Sequence, residues 1–463
     1  MRIAVIGAGI VGVTTAFELA RDGHQVTVFE RRGSVAEETS FANAGVVAPG
    51  YATPWAAPGM PARVLRHLLS RHAPVRLALP MAPGQLGWMW RWWRACQAPV
   101  FAANRAHLHR LARYSQQRLH HLTQGLRLVH ESTPGYLVLL RTARELVQAR
   151  GSLKLLAELG VDFHLVNGAR AREIERGLNP DVPLHAAVHL PQDEVGNCRQ
   201  FAHALRNEAQ RLGAVFQFQR NVTALVAGEQ PLVAHRATAN AEPSRQEAFD
   251  AVVVCAALGA TALIKPLGLR LPLVGVHGCS ITAPLRHRED FPHLGPTSGV
   301  MDERYKVAIS RLGQRVRVAG GAELGGRLDQ ISAAAIQTLH QVLDDWFPGC
   351  AEQSQVQRWK GARPMLPDGP PVLGASGATG IWLNLGHGSS GWALACGSAR
   401  VLADQVAGRL ADIDVTGLDL ARLKRSAHRL RHAPARSASF RPALSRPASS
   451  RPAATSTRPS PAT

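Results

Sequence analysis

The sequence predicts an α/β fold: a Rossmann-type parallel sheet assembled from distant parts of the chain, interrupted by an inserted substrate domain with a mixed, largely antiparallel sheet. Three observations carry this. Residues 1–30 read as strand, glycine-rich turn, helix and second strand. Residues 270–320 alternate apolar and polar positions, as half-buried antiparallel strands do. Residues 380–406 then return to buried strand, glycine-rich loop and helix.

The first unit is the most explicit. Ile3, Val5 and Ile6 belong to a short apolar strand, and Gly7, Gly9 and Gly12 follow as G-x-G-x-x-G. Residues 11–20 are apolar at helical spacing, and a second strand, residues 25–29, ends at Glu30, 18 residues after Gly12. This is the βαβ dinucleotide arrangement in its full context. Gly7 permits the tight turn, Gly9 lets backbone approach a pyrophosphate, and Gly12 lets helix and strand pack. Ala8, Ile10 and Val11 bring the N–H groups and positive dipole of the helix start to the phosphates. Glu30, with Arg31 after it, is placed to accept hydrogen bonds from ribose hydroxyls.

Prolines break residues 51–100 into short pieces, and five of the nine tryptophans lie there. The run Trp-Met-Trp-Arg-Trp-Trp-Arg at residues 88–94 suits either packing on the fold or a membrane interface. A long basic amphipathic helix is expected over 101–130, strands over 135–140 and 184–190, a helix over 152–159 and a short strand over 162–166. A helix over 198–212 precedes a strand pair near 215–218 and 222–226, then a buried strand within 250–259 that ends in small residues. Strands are expected at 274–281, 306–310 and 315–319, and a helix over 331–346. Strand 380–385, loop 386–391 and helix 392–406 close the pattern. Flavin enzymes of the glutathione-reductase type are built this way. The expected FAD-binding domain is discontinuous, comprising 1–50, 190–265 and 360–420, with 51–189 and 266–359 forming the substrate domain and its capping helices.

Composition narrows the class. No run of 18 uninterrupted apolar residues occurs, and the first strand starts at residue 2 with no charged leader ahead of it, the pattern expected of a cytoplasmic protein. The six cysteines are never closer than 24 residues, so neither a metal site nor a disulfide framework is expected. Of the net charge of +20, half comes from residues 421–463, which hold ten Lys/Arg and no acid. That segment, rich in Arg, Pro, Ala and Ser, is expected to be a disordered basic tail over 425–463, and no specific nucleic-acid partner is expected.

Five segments together resemble one family, the small catalytic subunits of bacterial D-amino acid dehydrogenases, in the D-amino acid oxidase superfamily. They are residues 2–30, residues 38–45 (E-T-S-F-A-N-A-G) running on to 49–59 (P-G-Y-A-T-P-W-A-A-P-G), 190–198, 302–311, and 361–369 with 384–392 and 395–397. The match spans about residues 1–420 and leaves the tail outside. The resemblance implies non-covalent FAD and oxidation of a D-amino acid, such as D-alanine, to an imine that hydrolyses to a 2-oxo acid and ammonia. The implied electron acceptor is a quinone or respiratory component, with peripheral contact at the cytoplasmic face of the inner membrane.

Within that frame Arg363 is expected either to fork onto the substrate carboxylate or to pair with Asp368. Tyr305 is expected to complete the carboxylate grip and Tyr51 to line the pocket. Ser40, Asn43, Ala44 and Gly45 match a second FAD contact. Gly386, His387, Gly388, Ser389, Ser390 and Gly391 precede the last helix, where N–H groups and dipole favour negative charge on the flavin. His387 adds a hydrogen bond or is an ordinary loop histidine, and Val222 and Ala256 are adenine-side candidates. The chain departs from the family at Gly278-Cys279-Ser280, where Gly-Tyr-Ser is expected, and at His277, where lysine is usual. Two other readings stay open: a glycine/sarcosine-type amine oxidase using oxygen, and a flavoprotein that binds RNA or membrane through its basic tail.

Overall fold

Parallel pairing organises the nucleotide half. In the computed structural model, which describes residues 1–67, 75–238, 243–286 and 294–423, Arg2–Ile6 (β1) pairs in parallel with Gln25–Phe29 (β2) on one side and Ala251–Val254 on the other. The six-stranded sheet continues through Ile381–Leu385 to Val372–Ala375 at one edge and to Val215–Gln217 at the other. Its strands come from three distant stretches, as the returning strand–loop–helix predicts. β1 is buried on both faces, which is why it is a continuous apolar run.

Helix Ile10–Arg21 (α1) packs against the closing helix Gly391–Val406 and against Cys198–Arg211. Inside this layer Glu18 is fully buried and accepts hydrogen bonds from Arg118 (2.9 Å) and Arg400 (2.8 Å). Arg400 also reaches Asp22 (2.5 Å) and Asp404 (2.8 Å). Charges this deep persist only when paired on every side, and here they pin α1 to the closing helix and to the helix Ala98–Gly125, which carries Arg118. Met1–Arg422 form one compact unit, and the expected tail, 425–463, lies outside the described residues.

The second sheet has ten strands. From one edge the order is Gln357–Met365, Val274–Pro284, Arg315–Gly325, Val307–Leu312, Gly299–Asp302, Thr133–Leu140, Ala186–Val195 and Val46–Val47, with Val75–Ala78 beside Arg315–Gly325 and His164–Asn167 beside Ala186–Val195. Helix Ala333–Trp346 covers one face, burying Ile336, Leu339, Val342 and Trp346 on Ile281, Ile309 and Val318. The opposite face holds the backbone of residues 42–44. Ser280 donates to the Ala42 carbonyl (2.8 Å), Arg317 to that of Asn43 (3.2 Å) and Ser310 to that of Ala44 (2.8 Å). The two sheets are thus joined through the segment that follows β2.

Several elements differ from their sequence-based expectations. The strands near 215–218 and 222–226 are not a pair. Val215–Gln217 joins β2, and Arg220–Val226 starts a separate three-stranded sheet with Leu232–Ala237 and Arg245–Ala248. Gln219, in a left-handed turn at φ +54°, redirects the chain between them. The helix expected over 152–159 begins at Ala143, where the Thr142 hydroxyl accepts from the Glu145 N–H and the Glu145 carboxylate reaches back to the Thr142 N–H. The proline-broken tryptophan segment contains a helix, Pro83–Ala95, because Pro83 occupies its first turn, where no N–H is needed. All six cysteines are buried and free.

Candidate active site

The glycine turn has the close approaches its spacing implies. Gly7 sits at φ +100°, and a Cβ on Gly12 would lie 1.9 Å from the Gly7 carbonyl oxygen. Ile3, Val5 and Ile6 form the buried strand beneath, and Ala8 and Ile10 are buried beside the turn. Gly9 caps α1 with no side-chain hydrogen bond, and the first turn, including Val11, carries no acid. Ser40 Oγ accepts from the Ile10 N–H (3.1 Å). Glu30 folds back on the turn: one carboxylate oxygen accepts from the Ala8 N–H (2.7 Å), the other from the Arg32 N–H (2.8 Å). Both oxygens retain capacity for further donors. Arg31 is turned to Glu38 (2.5 Å) at the surface.

The rest of the cradle assembles around this turn. Asn43 Oδ1 accepts from the Gly45 N–H (3.0 Å), and Gly45, at φ +75°, hydrogen-bonds through its carbonyl to the Gly196 N–H (2.7 Å). With Ala44 fixed by Ser310, the segment is held from both sides. The Ala256 Cα would lie 3.2 Å from a Cβ on Gly7, so Ala256 borders the turn directly. Val222 is buried on Arg220–Val226, which starts beside the acid: the Arg220 N–H donates to the Glu30 carbonyl (2.8 Å).

The closing loop lies at the end of the strand that carries Arg363, since Met365 and His387 form an isolated antiparallel bridge. Gly386 (φ +82°) and Gly388 (φ +57°) take left-handed backbone there. Ser389 is exposed, and Ser390 leads into Gly391 and the closing helix with no side-chain cap. His387 is buried, and its Nε2 lies 3.0 Å from Ser398 Oγ. The Ser398 proton goes to the Ala395 carbonyl (3.1 Å), so the imidazole is the donor. Burial pushes its pKa down to about 3, leaving it neutral at physiological pH.

Arg363 stands opposite Val276. Its guanidinium donates to the Gly321 carbonyl (2.8 Å), lies 5.8 Å from the Trp55 ring and covers Gly278, where a Cβ would meet it at 2.4 Å. Asp368 pairs instead with Arg422 (2.9 Å), which removes the ion-pair alternative for Arg363. Among the described residues no carboxylate pairs with Arg363. Burial lowers its pKa to about 10, so it stays cationic at neutral pH.

The other candidates are not all gathered with it. Side chains alternate faces along a strand, so Val276 and Gly278 face Arg363 while His277 and Cys279 face the helix Ala333–Trp346. A cavity on that helix side is lined by His277, Cys279, Tyr305, Glu323 and Lys360 among others, and Tyr305 packs on its core. Tyr305 and Arg363 therefore belong to opposite faces of the sheet. Tyr51 donates to Glu303 (3.1 Å) and accepts from Lys306 (3.2 Å), with its ring 6.0 Å from that of Tyr136. Sequence reasoning passed over Glu303, Lys306 and the Lys360–Glu323 pair (2.7 Å); isolated charged residues in a turn or strand carry no spacing that marks them.

The cradle suits a dinucleotide. The closing helix starts without a side-chain cap, the first N–H of α1 is met by Ser40, and a Cβ on Gly7, Gly12, Gly45 or Gly386 would meet a neighbouring atom at 3.0 Å or less. Gly7, Gly9, Gly12 and Glu30 would hold its adenosine and pyrophosphate, residues 40–45 its middle, and residues 386–391 its far ring. Among the described residues no group of three potential ligands could hold a metal, and no helix is long and apolar enough to cross a membrane.

Residues 2–405 match the family model described as FAD dependent oxidoreductase. A D-amino acid dehydrogenase of Rhizorhabdus wittichii is 40% identical over 425 residues, covering 91% of this chain and all of that protein. One from Cereibacter sphaeroides is 41% identical over 446 residues, covering 95% of this chain and all of that protein. Among solved structures, glycine oxidase from Geobacillus kaustophilus superposes with a TM-score of 0.70 at 20% identity, covering 91% of this chain and 99% of that one.

Proposed function

The chain belongs to the FAD-dependent oxidoreductase family, and from that premise we propose that it oxidises D-amino acids such as D-alanine to 2-oxo acids and ammonia. The observation that carries the reading is Arg363: a part-buried guanidinium with no carboxylate partner among the described residues, at the end of the strand that bridges to the closing loop. The D-amino acid dehydrogenases that match along nearly the whole chain support the substrate class. What FAD supplies when bound is acceptance of the Cα hydrogen as hydride at N5, with the electrons passed to a quinone or respiratory acceptor.

The remaining work falls to the chain. Arg363 forks onto the substrate carboxylate and so fixes the orientation of Cα. Trp55 walls the guanidinium from water and keeps the contact strong. The uncapped start of the closing helix places N–H groups where negative charge collects, and neutral His387 holds the loop through Ser398. Tyr51, fixed by Glu303 and Lys306, lines the far side of the pocket. Tyr305 acts from behind the sheet as a wall of the strands, not as a carboxylate ligand. Loss of hydride from Cα and a proton from nitrogen leaves an imine; water adds and ammonia departs. Passing electrons to a lipid-soluble acceptor calls for peripheral association with the inner membrane.

The test is spectroscopic. The purified protein is expected to be yellow and to bleach anaerobically with D-alanine but not L-alanine, and to turn over with a quinone analogue. A yellow protein that no D-amino acid bleaches would refute the substrate, and stoichiometric peroxide release would replace the quinone with oxygen.

A further inference from the structure

The tryptophan helix Pro83–Ala95 has two unlike faces. Trp88, Met89 and Trp92 turn inward onto Val276, Ala322, Leu324 and Met365. Leu86 (60% exposed), Trp90 (54%) and Trp93 (51%) turn outward. Their i, i+4, i+7 spacing places them on one stripe. The two outward indoles stack with centroids 5.0 Å apart. Leu79 just before the helix is 85% exposed, and Leu65 in the preceding helix Met60–His67 is 72% exposed. An ordinary monomer surface scatters such residues singly. The two helices carry charge of one sign: Met60–His67 and Pro83–Ala95 contain Arg63, Arg66, Arg91 and Arg94 and no Asp or Glu. Arg66 and Arg91 are exposed.

We propose that this stripe docks the protein on an anionic lipid bilayer, the indoles entering the headgroup boundary and the arginines meeting lipid phosphates. Two adjoining helical segments that carry arginines and no acid complement a uniformly negative sheet better than a protein partner of mixed charge. Docking here also reaches the site. Trp88, on the reverse of the same helix, donates to the Met365 carbonyl (3.0 Å), two residues beyond Arg363. The membrane would then lie against the wall of the substrate site, where a lipid-soluble acceptor is found; this consequence rests on the proposed acceptor, whereas the docking itself does not.

The experiment compares the full-length, FAD-loaded protein with its Trp90→Ser/Trp93→Ser variant. Co-sedimentation with vesicles of phosphatidylcholine, with and without phosphatidylglycerol, is expected to show binding that needs the anionic lipid. The variant is expected to bind about tenfold more weakly. Its D-alanine turnover with a water-soluble dye should be unchanged, while turnover with a long-chain quinone embedded in the vesicles falls by a similar factor. Undiminished vesicle binding by the variant would overturn the proposal by placing the contact elsewhere. So would a wild type that ignores anionic vesicles, or a wild-type dimer that the substitutions dissociate. If no D-amino acid is oxidised even with the dye, the substrate reading fails while the sedimentation result still decides the docking.

Discussion

A guanidinium held only by backbone carbonyls is charged, positioned and unneutralised, which is the condition for gripping an anion. Arg363→Lys keeps the charge but loses the fork. It is expected to retain the flavin spectrum while kcat/KM for D-alanine drops about 100-fold, in the range for truncating one partner of a buried charge pair; unchanged kinetics would remove Arg363 from the site. Gly278 provides a subtler probe. Its backbone is ordinary, so alanine is tolerated conformationally, but the new Cβ would stand 2.4 Å from the Arg363 guanidinium. That group is the flexible end of a side chain and would move, at small cost to stability. Gly278→Ala should therefore raise KM about tenfold or more with melting temperature and FAD content nearly unchanged. Steady-state kinetics beside a thermal melt would separate this from general damage.

At the scale of elements, the sequence announces what is local and periodic. β1, α1 and β2 follow from an apolar run, three glycines and an acid, and the observed bounds match the pattern closely. Arg363's strand, Gln357–Met365, was not legible as a strand: its residues are Gln, Arg, Trp, Lys, Gly, Ala, Arg, Pro and Met, and its pairing with Val274–Pro284 is a long-range choice. For the same reason the opposite facing of Tyr305 and Arg363 could not be read beforehand, because facing depends on register and register on tertiary pairing. The glycines permit a sharper prediction. A methyl at Gly12 would sit 1.9 Å from a backbone oxygen of Gly7, and neither backbone can yield without parting α1 from β1. Gly12→Ala is expected to give protein that is insoluble or lacks the visible flavin bands; a yellow, soluble variant would show that helix and strand need not pack this closely.

For the molecule as a whole, the ten-stranded sheet is held to the nucleotide half through residues 42–52, and one buried acid sits at that junction. Asp193, on Ala186–Val195, is 4% exposed; one carboxylate oxygen accepts from the Gly50 N–H (3.3 Å) and the other has no partner. Burial outweighs that hydrogen bond and pushes its pKa from 3.8 up to about 7. The sign follows by linkage. A carboxyl raised in the fold binds a proton that the unfolded chain has released, so its contribution is fully present below the unfolded pKa and is lost as pH rises through the folded one. Between these two values the native state should weaken steadily on this account, and above about pH 7 it carries a buried, half-paired anion. Asp193→Asn removes the titration while keeping the shape. Its melting temperature relative to wild type should therefore climb from about pH 5 to about pH 8. A difference that stays flat across that range would mean Asp193 is ionised in the fold throughout, stabilised by donors beyond that of Gly50.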